Sequence, residues 1–335
     1  MKHCNGFPFN KYKFVLVIIS DPKHKKAIKA FLDKSNIVSQ FVLGTTIDRA
    51  KITVYSNILK QINAKLCQDL YRIDVPANLQ NAMVVGVDVV NAGRRAIIGL
   101  TASYSRHMTQ HYSQVVYQDL LKELVGKSMT KQEQEEKVCA DRSIIVQEFI
   151  KKSLEVYVKK NKNLPNVVAI YRDGVGGPSY QEKVIRLEVE DVINLIQSYS
   201  PNYKPQIVYS LVDKRINTRF TEKRHDEYQN PAPGTVVDQG LVEHPGNQAS
   251  FDFYMIAHKA TIATALPVHY YVVANRTNMT KEQVEQFTYH LCYNFFNFMG
   301  SIKVPAAVMY AHKIANYAHD ITMPSDGLAY NLHYL

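Results

Sequence analysis

Four polar side chains stand where apolar neighbours make a polar group costly. Asp88 interrupts the β-branched run MVVGVDVV at 83–90. Asp173 closes VVAIYRD and is followed by Gly174, Gly176 and Gly177. His312 sits among Val308, Met309, Ala311, Ile314 and Ala315, and Glu123 lies within LLKELV. A buried carboxylate has to be paired, protonated or bound to a metal. Carboxylates converging at strand ends suit Mg2+, which takes hard oxygen ligands and keeps some of its water. A pair of such ions activates water and stabilises the leaving oxygen of a phosphodiester. Spacing leaves plainer readings open: Asp88 as an edge or capping acid, His312 as a satisfied core histidine, Glu123 as a surface glutamate. The four residues are too far apart in the chain to form a local motif. By themselves they support a basic α/β protein with a candidate metal-dependent phosphoryl-transfer site.

The elements that must gather them follow from periodicity. YKFVLVIIS reads as a buried strand and KHKKAIKAFLDK as a short basic helix with Ala27, Ile28, Phe31 and Leu32 on its apolar face. SQFVLG is a second strand, and ITVYSNILKQINAKLCQDL has helical spacing. Strand–helix–strand–helix is α/β, parallel by preference. The turn-rich DVPANLQNA marks a boundary, giving domains 1–80 and 81–335. Beyond it, MVVGVDVV and RRAIIGLTASYS predict an antiparallel hairpin around Asn91-Ala92-Gly93. A long amphipathic helix is expected from Thr130 to Lys160, then a strand at 167–173 and a helix near 182–198. QIVYSLVDK, TVVDQGLV, FDFYMIAH and HYYVVAN read as further strands, and KEQVEQFTYHLCYNFF and PAAVMYAHKIANYAH as helices.

Composition limits the function classes. A length of 335 residues exceeds the roughly 100–200 usual for one domain. Lys+Arg 40 against Asp+Glu 30 gives +10, which attracts polyanions such as nucleic acid. Tyr 22 and Phe 13 offer flat faces, although Trp is absent. The apolar runs fall short of the roughly 20 residues a membrane helix needs. The opening MKHCNGFPFNKYKF lacks a signal-peptide pattern. Cys4, Cys67, Cys139 and Cys292 are widely spaced, without CxxC, which suits a reducing compartment.

At Asp88 an ordered series of segments begins: VVGVDV, AGRRAIIG, VVYQDLLKELV, YRDGVG, KRINTRF, QNPAPGTVVD, DFYMIAH, PVHY, TYHLCYNFF, IKVPAAVMYAHKIA and a terminal LHYL. The series closely resembles the Argonaute superfamily, and within it the Piwi branch. Upstream, IVSQFVL and ILKQINAKL resemble the later part of that family's MID domain. The resemblance implies a ribonuclease H-like PIWI domain preceded by a partial parallel α/β MID-like domain. It implies Mg2+-dependent cutting of RNA paired to a small guide RNA, with Mn2+ able to substitute. Carried over residue by residue, Asp88 and Asp173 become the main metal ligands, with His312 near the leaving group. Glu123 becomes the residue that completes the shell from a mobile segment. Arg172 beside Asp173 is a candidate backbone-phosphate contact.

For the guide's 5′ phosphate, the family pattern falls on Lys29, Gln40, Gln61 and Lys65, with Lys25 where the family has a stacking tyrosine. In the Piwi branch a metal and the C-terminal carboxylate also serve this phosphate, so Leu335 is a candidate. Phe298 stands where the family has a tryptophan and is expected to plug the same apolar gap. Counterparts of the N-terminal and PAZ domains and of the first half of MID are missing from this sequence. Protein partners are expected to supply those functions to a monomer in the cytoplasm or nucleus, away from membranes. The partners expected on the same grounds are a 5′-phosphorylated guide and its complementary target RNA. Two other readings stay open: a guide-RNA-binding silencing module that does not cut, and a ribonuclease H-like enzyme acting on hybrids without a stable guide.

Overall fold

Turn residues and helix caps cut the apolar runs into elements. The computed structural model describes residues 11–49, 51–76, 79–242 and 248–335, so Cys4 lies outside the described residues. Phe14–Ile19 (β1) is followed by Lys25–Lys34 (α1), Val38–Leu43 (β2), Gly44–Arg49 (α2) and Ile52–Lys65 (α3). β1 and β2 pair in parallel as a two-stranded sheet. Ala82–Ala92 (β3), Arg95–Ser103 (β4) and His111–Asp119 (β5) form an antiparallel meander. Lys131–Asn161 (α4) begins on a capping box, in which Thr130 and Glu133 each accept the other's backbone N–H. Val167–Asp173 (β6) leads into Pro178–Val184 (α5), one π-helical turn at Ile185–Val189, and Glu190–Gln197 (α6). Gln206–Asp213 (β7) precedes a small hairpin, Glu222–Arg224 (β8) with Glu227–Gln229 (β9). Thr235–Val237 (β10), Phe251–Ile256 (β11), Val268–Arg276 (β12), Lys281–Leu291 (α7) and Ala306–Asp320 (α8) complete the order.

Eight strands make one mixed sheet, β10-β11-β12-β7-β6-β3-β4-β5. Its centre, β7-β6-β3, is parallel, and its wings are antiparallel. Strand alternation divides the side chains between two cores. Val85, Val87, Ile170 and Tyr209 face Phe149 and Ile150 of α4 and Ile193 of α6. Val84, Ala169, Tyr171 and Val212 face Phe287 of α7 and Val308 of α8. Asp88 and Asp173 keep the parity of the second set, so the strand period alone turns both toward the α8 side.

α8 lies directly on the sheet because two positions there have no side chain. A Cβ at Gly86 would fall 2.2 Å from the Ala307 carbonyl carbon, and one at Gly99 would fall 2.0 Å from the Ala311 oxygen. Beside Gly86 on the neighbouring strand, Thr101 Oγ1 donates to the Ala307 carbonyl at 2.7 Å.

Four expectations need correction. β1 is not buried: Leu16 and Ile18 are exposed, because a two-stranded sheet is covered on one face only. α1 does not turn Ala27 and Phe31 inward; Lys29, Leu32 and Asp33 are its buried residues, since Lys29 and Asp33 pair with each other. The strand in TVVDQGLV is confined to Thr235–Val237. Phe298 is exposed rather than plugging a gap. Among the described residues, no helix is long and apolar enough to cross a membrane.

The seat of α8 is testable. Gly99→Ala is expected to cost about 1–3 kcal/mol in urea unfolding, the usual scale of an overpacked core. Gly176→Ala, whose Cβ meets nothing within 4 Å, is expected to stay within about 0.5 kcal/mol of the parent.

Candidate functional site

The parallel register sets the acids side by side. Val87 pairs with Arg172, so the next step along each strand places Asp88 beside Asp173. α8 then lays His312 over them: His312 Nδ1 and Asp88 Oδ2 are 2.7 Å apart. Asn316, one turn further on, donates its Nδ2 to His312 Nε2 at 2.9 Å. That leaves the ring proton on Nδ1, where it is donated to Asp88. The Lys214 ammonium reaches both acids, at 3.6 Å from Asp88 Oδ1 and in direct ionic contact with Asp173 Oδ2. Asp173 Oδ1 accepts the Gly174 N–H at 2.7 Å. These side chains line an open cleft of about 540 Å³ whose walls include Val175, Gly176, Gly177 and Arg215.

Burial and mutual repulsion split the two acids. Burial pushes Asp173 up, the Lys214 charge pulls it back and the Asp88 charge pushes it up again, to about 6. For Asp88 burial also pushes upward, but the His312 hydrogen bond and the Lys214 charge outweigh it and hold the group below the usual carboxylate range. Lys214 is lowered by burial, yet the two acids carry it above the ordinary ammonium value.

Two sequence candidates lie elsewhere. Glu123 does not line the cleft. It stands on an exposed turn after β5, paired with Arg94 at 2.6 Å, with its side chain 62% exposed. Arg172 cannot reach a phosphate, since its side chain is 0% exposed on the opposite face of the sheet. There its Nε donates to Glu188 Oε1 at 2.9 Å, and Tyr209 donates to the same oxygen. Glu188 is carried by the π-helical turn.

On the far side of α8 a second pocket, about 230 Å³, is lined by Lys25, Lys29, Gln40, Lys65, Lys313 and Leu335, among others. Gln61 lines the adjoining recess and accepts from Gln40 Nε2 at 3.2 Å. Lys29 Nζ donates to Asp33 Oδ1 at 2.9 Å and to Ser39 Oγ at 3.2 Å. Tyr317 of α8 donates to the other Asp33 oxygen. Lys65 Nζ donates to the Ser39 carbonyl at 3.0 Å. Burial, with the nearby Lys29 and Lys25 charges, lowers Lys65 to about 7. Such a pocket of desolvated ammonium groups favours an anion. Sequence reasoning missed Asp33, Lys214, Lys313, Asn316 and Tyr317. The only signal for those on α8 was helical spacing from His312, because residues 313, 316 and 317 lie within about a turn of it.

Comparison with known proteins decides the family. The Piwi domain pattern matches residues 14–322. The Piwi-like protein Ago3 of Bombyx mori is 33% identical over 92% of this chain and 32% of its own length. Human Piwi-like protein 3 is 32% identical over 91% of the chain and 32% of its own. The chain belongs to the Piwi family. It spans about a third of the length of the curated relatives it matches. The Piwi-family fold extends to solved structures. Drosophila Piwi superposes with a TM-score of 0.80 at 22% identity, covering 100% of this chain and 44% of that one. The C-terminal lobe of a budding yeast Argonaute gives 0.77 at 21%, covering 96% and 69%. The mixed sheet with helices on both faces is thus the ribonuclease H-like architecture.

In a Piwi-family cleft the acids imply a divalent ion, and the donor chemistry fits one. Asp173 Oδ2 is buried, and the Lys214 ammonium is the cation in contact with it. Asp88 Oδ1 faces the same ammonium. Two hard carboxylate oxygens already share one cation. Among the described residues, no three His, Cys, Asp or Glu side chains enclose a metal as they stand. His312 Nδ1 is engaged with Asp88.

The Arg172–Glu188 pair predicts a structural phenotype. Arg172→Met is expected to cost about 3–5 kcal/mol in chemical denaturation, because it strands a buried carboxylate. The affinity of the remaining folded protein for RNA is expected to change less than about twofold.

Proposed function

We propose that this chain binds a 5′-phosphorylated small RNA and cuts RNA paired to it in a Mg2+-dependent reaction. The observation that carries the reading is the gathering of Asp88, Asp173 and His312 in one open cleft, with a lysine-lined pocket across the same helix. A structural neighbour supports the guide: the Kluyveromyces polysporus Argonaute was solved with a guide RNA. It superposes with a TM-score of 0.77 at 21% identity, covering 100% of this chain and 43% of that one.

Asp88 and Asp173 would hold Mg2+, with His312 beside them and Glu123 approaching when a duplex is seated. The ion supplies positive charge that makes water nucleophilic and steadies the leaving oxygen. The chain's own groups do the positioning. Asp88 and Asn316 hold the imidazole from opposite sides. Gly174, Gly176 and Gly177 keep one wall of the cleft free of side chains. In the second pocket Lys25, Lys29 and Lys65 take the phosphate oxygens, with Gln40 and Leu335 beside them and Gln61 in the adjoining recess. The first 80 residues serve as a MID-like unit and residues 81–335 as the PIWI unit.

A second reading is a guide holder that does not cut. The exposed Glu123–Arg94 pair, away from the cleft, favours it. Loading with a 5′-phosphorylated guide and offering complementary RNA with Mg2+ or Mn2+ separates the two. Cutting that falls at least about 100-fold in Asp88→Asn, with guide affinity within about threefold of the parent, supports the nuclease. Absence of cutting with either ion, with binding kept in Asp173→Ala, supports the holder.

The phosphate pocket yields two further expectations. Lys29→Glu combined with Lys65→Glu is expected to weaken guide binding at least about tenfold and to erase the preference for a 5′ phosphate over a 5′ hydroxyl. Phosphate binding favours charged Lys65, so binding takes up a proton at this group. Above about 7 the free lysine loses its proton, while the phosphate stays dianionic. Guide affinity measured by filter binding at fixed salt is therefore expected to fall from pH 7 to pH 9. A Lys65→Arg variant is expected to flatten that slope.

A further inference from the structure

The four oxygens of the two cleft acids are unequally engaged. Asp88 Oδ2 is taken by His312 and Asp173 Oδ1 by the Gly174 N–H. The remaining two, Asp88 Oδ1 and Asp173 Oδ2, are the ones that meet the Lys214 ammonium. A divalent ion held by both acids would compete with the ammonium for these oxygens. The backbone carrying Lys214 is fixed on either side. Asp213 Oδ1 accepts the Arg215 N–H at 2.9 Å, and the Lys214 carbonyl accepts from Lys303 Nζ at 3.0 Å. The four-carbon stem is the part free to move, and at 23% exposure it has a way out toward the open cleft.

We propose that Lys214 is a built-in counter-cation which holds Asp88 and Asp173 together and is exchanged for the divalent ion when the centre loads. The inference rests on reading the cleft as a metal centre. Without a cation, two buried carboxylates side by side repel each other and stay largely unsolvated. The ammonium neutralises one of those charges. A divalent ion neutralises both, and its own charge expels the ammonium from the same space. Loading is then an exchange of one cation for another on preformed oxygens. The apparent affinity for the ion is lowered by the competing lysine, and the cleft stays ordered in its absence. The displaced ammonium remains tethered at the cleft mouth beside Arg215, adding positive charge where an RNA backbone would pass.

Two measurements on the full chain test this. Mn2+ binding followed by electron paramagnetic resonance at pH 7.5 is expected to be about tenfold tighter in Lys214→Met than in the parent. Amine acylation of the unmutated chain, read by mass spectrometry, is expected to label Lys214 several-fold faster with Mg2+ than without. The exposed Lys152 serves as the reference and is expected to stay constant. Equal or weaker Mn2+ binding in Lys214→Met overturns the exchange while leaving the metal centre standing. Lys214 labelling unchanged by an ion that demonstrably binds does the same. No Mn2+ bound by either protein overturns the metal-centre reading, and the exchange with it.

Discussion

The close approach of α8 to β3 and β4 is the constraint on which both sites depend. Gly86 and Gly99 let the helix backbone touch the sheet, and Thr101 ties it down. A helix turns about 100° per residue, so neighbouring positions look in different directions. His312 and Asn316 face the acidic cleft, while Lys313 and Tyr317 face the lysine pocket. Asn316 borders both. A helix held a few ångströms further out would lose the His312–Asp88 contact and the Tyr317–Asp33 contact together. The spacing of the two sites is therefore a property of one helix seat.

Opposite charges are buried on the two sides of that helix, and each side manages its desolvation differently. In the cleft one lysine faces both carboxylates, and a histidine donates a hydrogen bond to one of them. In the pocket Asp33 offsets Lys29 and accepts from Tyr317, whereas Lys65 donates to a neutral carbonyl and is lowered to about 7. Removing one member of such a set costs more than the set contributes, because the partner stays buried and unpaired. The Arg172–Glu188 pair obeys the same rule on the other face of the sheet. It is a structural ion pair one residue from the cleft: strand alternation turns the two side chains to opposite faces, while Arg172 Nη1 donates to the Asp173 carbonyl at 2.6 Å.

Much of this is legible in the amino-acid sequence. Asp88, Asp173 and His312 stood out because each breaks an apolar pattern, and the structure gathers all three. The long helix from Thr130 and the strand at 167–173 were equally readable, since amphipathic periodicity and β-branched runs are local signals. Arg172 misled because its neighbour in sequence points into the cleft while it points away. α1 misled because a buried Lys29–Asp33 pair inverts the usual rule that charge marks the solvent face. Lys214 gave no signal at all: it follows a strand in a basic loop, where lysines are ordinary.

The sequence by itself determined the element types, the α/β class, the family and which side of each strand its acids take. Those depend on periodicity of 2 and 3.6, on turn residues and on motif order, all carried by near neighbours in the chain. Tertiary structure decided which distant groups meet: one ammonium across two acids, an asparagine behind a histidine, a tyrosine reaching into a lysine pocket, a glutamate left on an outer turn. Strand order and helix seating join residues hundreds of positions apart, and their electrostatics depend on burial that only the packed fold creates.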